Sequence, residues 1–325
     1  MKILKAAAAI SAVVLAALVS AQADKGALAQ ANAALQAGEA DRAIAVLQSL
    51  PSSLAGSAEA HNLECRVQLS LRNWDAALRE CEQAVRLDSQ DSDYHLWLGR
   101  ALGQKASRAS FFSAYSLAKR VRAEFEQAVQ LDPRNAEALS DLGDYDVDAP
   151  GVVGGGTDKA AAIAAQLDRV DPARADVLRG RIAEKGGDYG TAERDYRQAI
   201  AVSPHPGPEW IVLAGFYRHR QRWTDMEAAI RSCAGVAERD RHSGAALYDG
   251  ASMLMETNRD PELAVNMMKA YLASPGKTEE GPAFEAYLRL ARLESRLGDT
   301  TDASRDQSAA MALAHSFRPA QNFRH

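Results

Sequence analysis

Small residues return in this chain at helical spacing, and the pattern recurs from one segment to the next. "AEKGGDYGTAERDYRQAIAVSP" (183–204) and "ESRLGDTTDASRDQSAAMAL" (294–313) each hold a Gly-Asp turn, then Ala192 or Ala303, then Ala199 or Ala310 seven residues on. "LRNWDAALRECEQAVRLDS" (71–89) repeats this with Trp74, Ala77 and Ala84. Asp-Pro in "AEFEQAVQLDPRN" (123–135) and "LDRVDPARA" (167–175) closes a unit, because proline cannot continue one helix yet suits the first turn of the next. Alanine is abundant, aromatics make up 6% and β-branched runs are almost absent, a composition for helices packed closely through small residues. The fold class is all-α.

These residues resemble the tetratricopeptide repeat, two antiparallel helices per roughly 34 residues with small residues where the helices touch. The resemblance implies a superhelical solenoid of antiparallel helix pairs. That period gives about eight repeats along the chain, starting near Asp24, Ala58, Ser92, Ala136, Ala173, Gly207, Ser243 and Phe284. Each first helix then carries a small residue at its crossing point: Ala31, Cys65, Gly99, Gly143, Gly180, Ala214, Gly250 and Ala291. A bulky side chain there would hold the paired helix away and leave voids in the seam. The expected organisation is a signal peptide over 1–23, the array over 24–316 with insertions near 104–118 and 150–157, and a tail over 317–325.

The first segment reads as export machinery. Lys2 and Lys5 make a basic start, an apolar run from Ala6 to about Val19 follows, and Ala21-Gln22-Ala23 offers small residues beside a cut before Asp24. The run falls short of the roughly 20 residues a membrane-crossing helix needs, an uncleaved anchor being the alternative. The chain is expected to be exported, periplasmic or secreted. Lys2 and Lys5 leave with the signal, so 38 basic residues become 36 against 43 acidic ones. A mildly acidic chain without a basic tail argues against a nucleic-acid partner. No further long apolar stretch follows, so no integral membrane span is expected in the mature chain.

Two stretches interrupt the period. "DAPGVVGGGTDKAAAIAAQL" (148–167) has the glycines of a phosphate loop, but Gly156 is followed by Thr-Asp-Lys and no strand precedes it. It reads as the turn inside repeat four, with Thr157 or Asp158 as N-cap. "ASRASFFSAYSLAKR" (106–120) adds about ten residues between the helices of repeat three and concentrates Phe111, Phe112 and Tyr115. Covering the long turn of repeat four is the expectation for these aromatics; a partner-docking insertion is the alternative.

Candidate chemistry is sparse. There is no H-E-x-x-H, no C-x-x-C and no G-x-S-x-G, and the carboxylates are spread along helix faces. No enzyme, cofactor or metal is expected. Cys65 and Cys81 lie on the two helices of repeat two with the turn near Asn73 midway between them, so antiparallel pairing brings them face to face. They form either a disulfide, feasible in an oxidising compartment, or two small buried residues in the seam. Cys233 has no near partner and is assigned to the core.

The resemblance implies that first helices line the concave face. One column there carries Asn32, Arg66, Arg100, Asp144, Arg181, Gly215, Ala251 and Arg292, and a neighbouring column includes Leu28, Asn62, Leu96 and Ser140. Asn62, Arg66, Arg100, Arg181 and Arg292 are the candidate groove. Arginines beside apolar residues can hold an acidic segment or a C-terminal carboxylate by forked hydrogen bonds, unless acids on adjacent repeats pair with them. The Asn and Lys pattern of the carboxylate clamp in chaperone-binding relatives is not reproduced. The functional reading is a non-enzymatic scaffold binding a protein or peptide in a charged, open groove. The alternative is an accessory subunit of a transport system that encloses a small solute in an apolar, closed cavity.

Overall fold

The computed structural model describes residues 26–324, all helices and turns, with no strand among the described residues. The expected signal peptide lies outside the described residues. Helical residues 26–36 (α1) pair with α2 (Ala40–Gln48), and a short α3 (Ser52–Ala55) leads to the next pair. Successive antiparallel pairs follow: α4 (Ala58–Ser70) with α5 (Trp74–Leu87), and α6 (Ser92–Ala106) with α7 (Phe111–Leu131). Next come α8 (Ala136–Asp148) with α9 (Thr157–Leu167), and α10 (Pro172–Lys185) with α11 (Tyr189–Val202). The last three are α12 (Gly207–His219) with α13 (Trp223–Ala237), α14 (Gly244–Thr257) with α15 (Pro261–Ala273), and α16 (Ala283–Leu297) with α17 (Thr300–Leu313).

Local chemistry sets these boundaries. The carboxylates of Asp91, Asp171, Asp260 and Asp299 accept backbone N–H groups of the helices they precede, and Pro172 and Pro261 occupy the first turn behind their aspartates. The small crossing residues make the seams. A Cβ on Gly99 would sit 2.5 Å from the Phe125 ring, and one on Gly180 would sit 2.5 Å from Tyr196. Ala192, on the facing helix, is fully buried beside that contact. These aromatic rings fill the space the glycines vacate, so the seam is close-packed without a second small residue directly opposite.

The array bends until its ends meet. Leu28, Ala31 and Leu35 share one buried cluster with Phe284, Leu288, Ala310 and Phe317. Gly38, at φ +71°, passes so close to α16 that a Cβ would lie 2.0 Å from the Ala283 nitrogen. Side chains clasp the same junction: His315 Nδ1 lies 2.8 Å from Asp41 Oδ1, and Gln36 Nε2 donates to Glu279 Oε1 at 2.9 Å. Residues of the expected tail, 317–325, take part in this closure. Phe317 is buried with its ring centroid 4.8 Å from that of Phe284, and α18 (Arg318–Gln321) follows it.

The insertion in repeat three differs from expectation, and the glycine stretch is the expected turn with a different N-cap. The one in repeat three is helix: only residues 107–110 separate α6 from α7, and α7 runs 21 residues. Phe111 and Phe112 are in its first turn, 82% and 86% exposed, so they do not cover the turn of repeat four. Tyr145 does that work, its hydroxyl shared between the Ala118 and Val153 carbonyls at 2.9 Å each. The glycine stretch is a turn containing a short 3-10 segment (Gly151–Val153), and its N-cap is Gly156 in place of Thr157 or Asp158. Gly155 is required there, since a Cβ would lie 1.9 Å from the Ala149 carbonyl oxygen.

Candidate functional site

Of the candidate groove, Arg66, Arg100 and Arg181 are on first helices and each is already paired. Arg66 makes a forked contact with Glu279, Nε to Oε2 at 2.9 Å and Nη2 to Oε1 at 2.6 Å, and its Nη2 also donates to Asn32. Arg100 donates to Asp141 at 2.6 Å and Glu137 at 3.0 Å, both on the next first helix. Arg181 meets Asp144 at 2.6 Å and Asp148 at 2.8 Å on the preceding one. Arg100 and Arg181 therefore stitch neighbouring first helices to one another, while Arg66 ties α4 to Asn32 and to the segment ahead of α16. Asn62 is buried instead of lining the surface, and its side-chain nitrogen has no hydrogen-bond partner among the described residues.

Where the ends meet, two cavities remain. The larger, about 690 Å³, is lined by Arg66, Arg72, Arg100, Arg108 and Arg289 against Asp141, Glu279, Glu280 and Glu285. Arg66 and Arg100 both stack over Trp97, 5.0 and 4.6 Å from its centroid. Its charges nearly balance. The second, about 630 Å³, does not balance: Arg72, Arg289, Arg292, Arg296 and Arg324 face Glu256 and Glu285. Leu288, Met255, Pro319, Phe317 and Phe323 supply its apolar walls.

Arg292 is the cation at the centre of that imbalance, its side chain partly enclosed by the pocket. It forms no ion pair among the described residues, and its guanidinium carbon lies 5.9 Å from the Phe323 ring centroid. Burial, then repulsion from Arg72 and Arg289, holds it below the usual guanidinium range despite Glu285. An anion entering here relieves repulsion already present, which an anion meeting the paired Arg100 or Arg181 would not.

Sequence spacing alone could have found part of this set. Arg289, Arg292 and Arg296 stand at i, i+3 and i+7 on α16 and so share one stripe. Arg72 and Arg324 come from a turn and the C-terminal segment, and only the meeting of the ends brings them there.

The inner wall also carries stressed carboxylates. Enclosure pushes Asp144 up to about 6 against the pull of Arg181, and enclosure followed by Glu280 pushes Asp249 up to about 6 against Arg289. Glu294 and Asp306 are buried against one another, and burial raises Glu294 although Lys269 lies 3.1 Å away. Carboxyls raised in the folded state bind protons before the unfolded chain does, so folding is favoured as pH falls through their folded values. His95, raised by its bond to Glu124, works in the same direction. Glu193 works oppositely, held down to about 2 by Tyr217, Arg222 and Arg197 despite burial, but its contribution fades only below the ordinary carboxylate range. The thermal midpoint is therefore expected to be higher at about pH 6 than at about pH 8, by about 2–4 °C. A midpoint that falls over that interval would contradict the stress on these groups.

Two sequence-family profiles, both described as tetratricopeptide repeat, match residues 64–120 and 173–206. No curated protein sequence matches the chain. Among solved structures, MamA is 16% identical, with 53% of this chain and 93% of MamA covered at a TM-score of 0.35. The C-terminal part of a TPR repeat-containing protein from Cytophaga hutchinsonii is also 16% identical, with 76% and 95% covered at a TM-score of 0.41.

Proposed function

Because the chain is a tetratricopeptide-repeat protein, we propose that it is an exported, non-enzymatic scaffold that holds an acidic segment of a protein partner in the arginine pocket between its ends. Repeats of this kind serve protein–protein interaction, and no described helix is long and apolar enough to cross a membrane. The observation that carries the reading is the uncompensated pocket, five arginines against two glutamates, with Arg292 lacking an ion-pair partner among the described residues. Planar guanidinium forks suit carboxylates, and the adjoining Phe317 and Phe323 rings offer apolar contact to flanking side chains. A small solute enclosed by the array is less well supported, since that reading calls for an apolar lining and this one is charged. Export is supported by the basic, apolar and small-residue order of residues 1–23.

The test uses a fluorescein-labelled hexaglutamate peptide and the mature chain. Each desolvated arginine–carboxylate bond contributes about 1.5–3 kcal/mol, so replacing Arg292 and Arg324 together by alanine should weaken binding by at least about tenfold. Replacing Arg100 should change stability more than affinity, because its guanidinium is already engaged. Unchanged affinity in the folded Arg292→Ala/Arg324→Ala protein would overturn the assignment.

A further inference from the structure

Away from that pocket, two loops from neighbouring repeats meet over a single carboxylate. His205 belongs to the link between α11 and α12, "SPHP", and Asp240 and His242 belong to the turn between α13 and α14. His205 Nδ1 lies 3.1 Å from Asp240 Oδ2, and His242 Nδ1 lies 3.2 Å from Asp240 Oδ1. The two imidazole rings are 4.2 Å apart between centroids. One ligating atom from each of the three residues can be chosen so that all lie within 4.8 Å of one another. The sequence shows none of this, since 35 residues separate His205 from Asp240 and no short metal motif spans them.

From this juxtaposition we infer that His205, Asp240 and His242 form a site for a divalent transition metal of the zinc class. Two imidazoles and one carboxylate are the donor set that such ions take, at about 2.0–2.2 Å per ligand, with a fourth position left for water or a partner's side chain. Both histidine side chains are about half exposed, which leaves them room to turn toward a common ion. An ion bound through Nδ1 replaces the contact between that nitrogen and the carboxylate, and each neutral imidazole then carries its proton on Nε2.

The surroundings are built rather than loose. Pro204 and Pro206 flank His205 and restrict its backbone, while its N–H donates to Ser203 Oγ at 3.2 Å. Asp240 is oriented by the His242 N–H at 2.9 Å and the Ser243 hydroxyl at 3.2 Å, the kind of supporting shell that fixes ligands in metal sites. Gly207 lets the two loops approach, because a Cβ there would lie 2.5 Å from Ser243 Oγ. By contrast His61, His95, His219 and His315 each meet one carboxylate and belong to no such three-residue group among the described residues.

Titration calorimetry of the mature chain with zinc chloride, in a buffer that does not bind metal, tests the site independently of any peptide binding. One saturable site per chain is expected. His205→Ala and His242→Ala should each weaken it at least about tenfold. Both variants should melt with wild type when zinc is absent, whereas added zinc should raise the wild-type midpoint and leave theirs unmoved. His61→Ala should bind as wild type does. Absence of saturable binding, or binding that survives the His205→Ala/His242→Ala double variant, would overturn the inference. So would a zinc-induced rise in midpoint that persists in that double variant.

Discussion

Glu279→Ala is expected to lower stability by about 3–5 kcal/mol, the range found when one partner of a buried ion pair is removed. Glu279 and Arg66 have side chains only 7% and 15% exposed, so removing the carboxylate leaves a guanidinium enclosed without its counter-charge. The same carboxylate accepts from Gln36, which ties helical residues 26–36 and α4 to the segment ahead of α16. The loss should therefore fall on the closure: a denaturant titration should show the ends separating before the central repeats unfold. Glu279→Gln keeps a shape that can still accept from Gln36 and should cost less. A midpoint shift worth less than about 1 kcal/mol would mean that the pair behaves like a screened surface contact.

Reducing the chain, or replacing Cys81 by alanine, should cost about 3 kcal/mol. Cys65 and Cys81 are joined by a disulfide with Cα atoms 5.2 Å apart and a sequence separation of 16, and a crosslink closing a loop of that length restricts the unfolded chain by about that much. Both sulfurs are fully buried in the seam of α4 and α5, so alanine leaves only a small void. Wild type in reductant and Cys81→Ala without it should melt together. A wild-type midpoint unmoved by reductant, after full reduction is verified by thiol titration, would contradict this. Cys233 is also buried, and burial pushes its thiol up to about 12, so it should remain unreactive until the chain unfolds.

What was legible in the sequence is what short-range chemistry decides. Ala58, Ser92, Ala136 and Gly207 open their helices as expected, and Pro172, Gly244 and Ala283 fall one residue from the expected starts. Aspartate caps, proline at the first turn and glycine or alanine at the crossings are local signals, each readable within a few residues. The insertion of repeat three was misjudged as a link because its length broke the period, although "SAYSLAKRVRAEF" carries no helix breaker. Closure was not legible, since Arg66 and Glu279 are 213 residues apart. It depends on small rotations that accumulate from one repeat to the next, and no single segment encodes their sum. The arginine pocket inherits that difficulty: the α16 stripe was readable, whereas the arrival of Arg72 and Arg324 beside it was not. Pairing of Arg100 and Arg181 was one of two readings the sequence left open, because an arginine column says nothing of the acids opposite until neighbouring helices are in register.

Everything proposed for the pocket depends on the ends of the array meeting. Small-angle X-ray scattering of residues 24–325 measures this without reference to any ligand. A closed array should give a radius of gyration close to about 20 Å, the value for a compact chain of this length, and Glu279→Ala should increase it. An elongated scatterer with a much larger radius in wild type, unchanged in the variant, would mean that the ends stand apart in solution and that the pocket between them does not form.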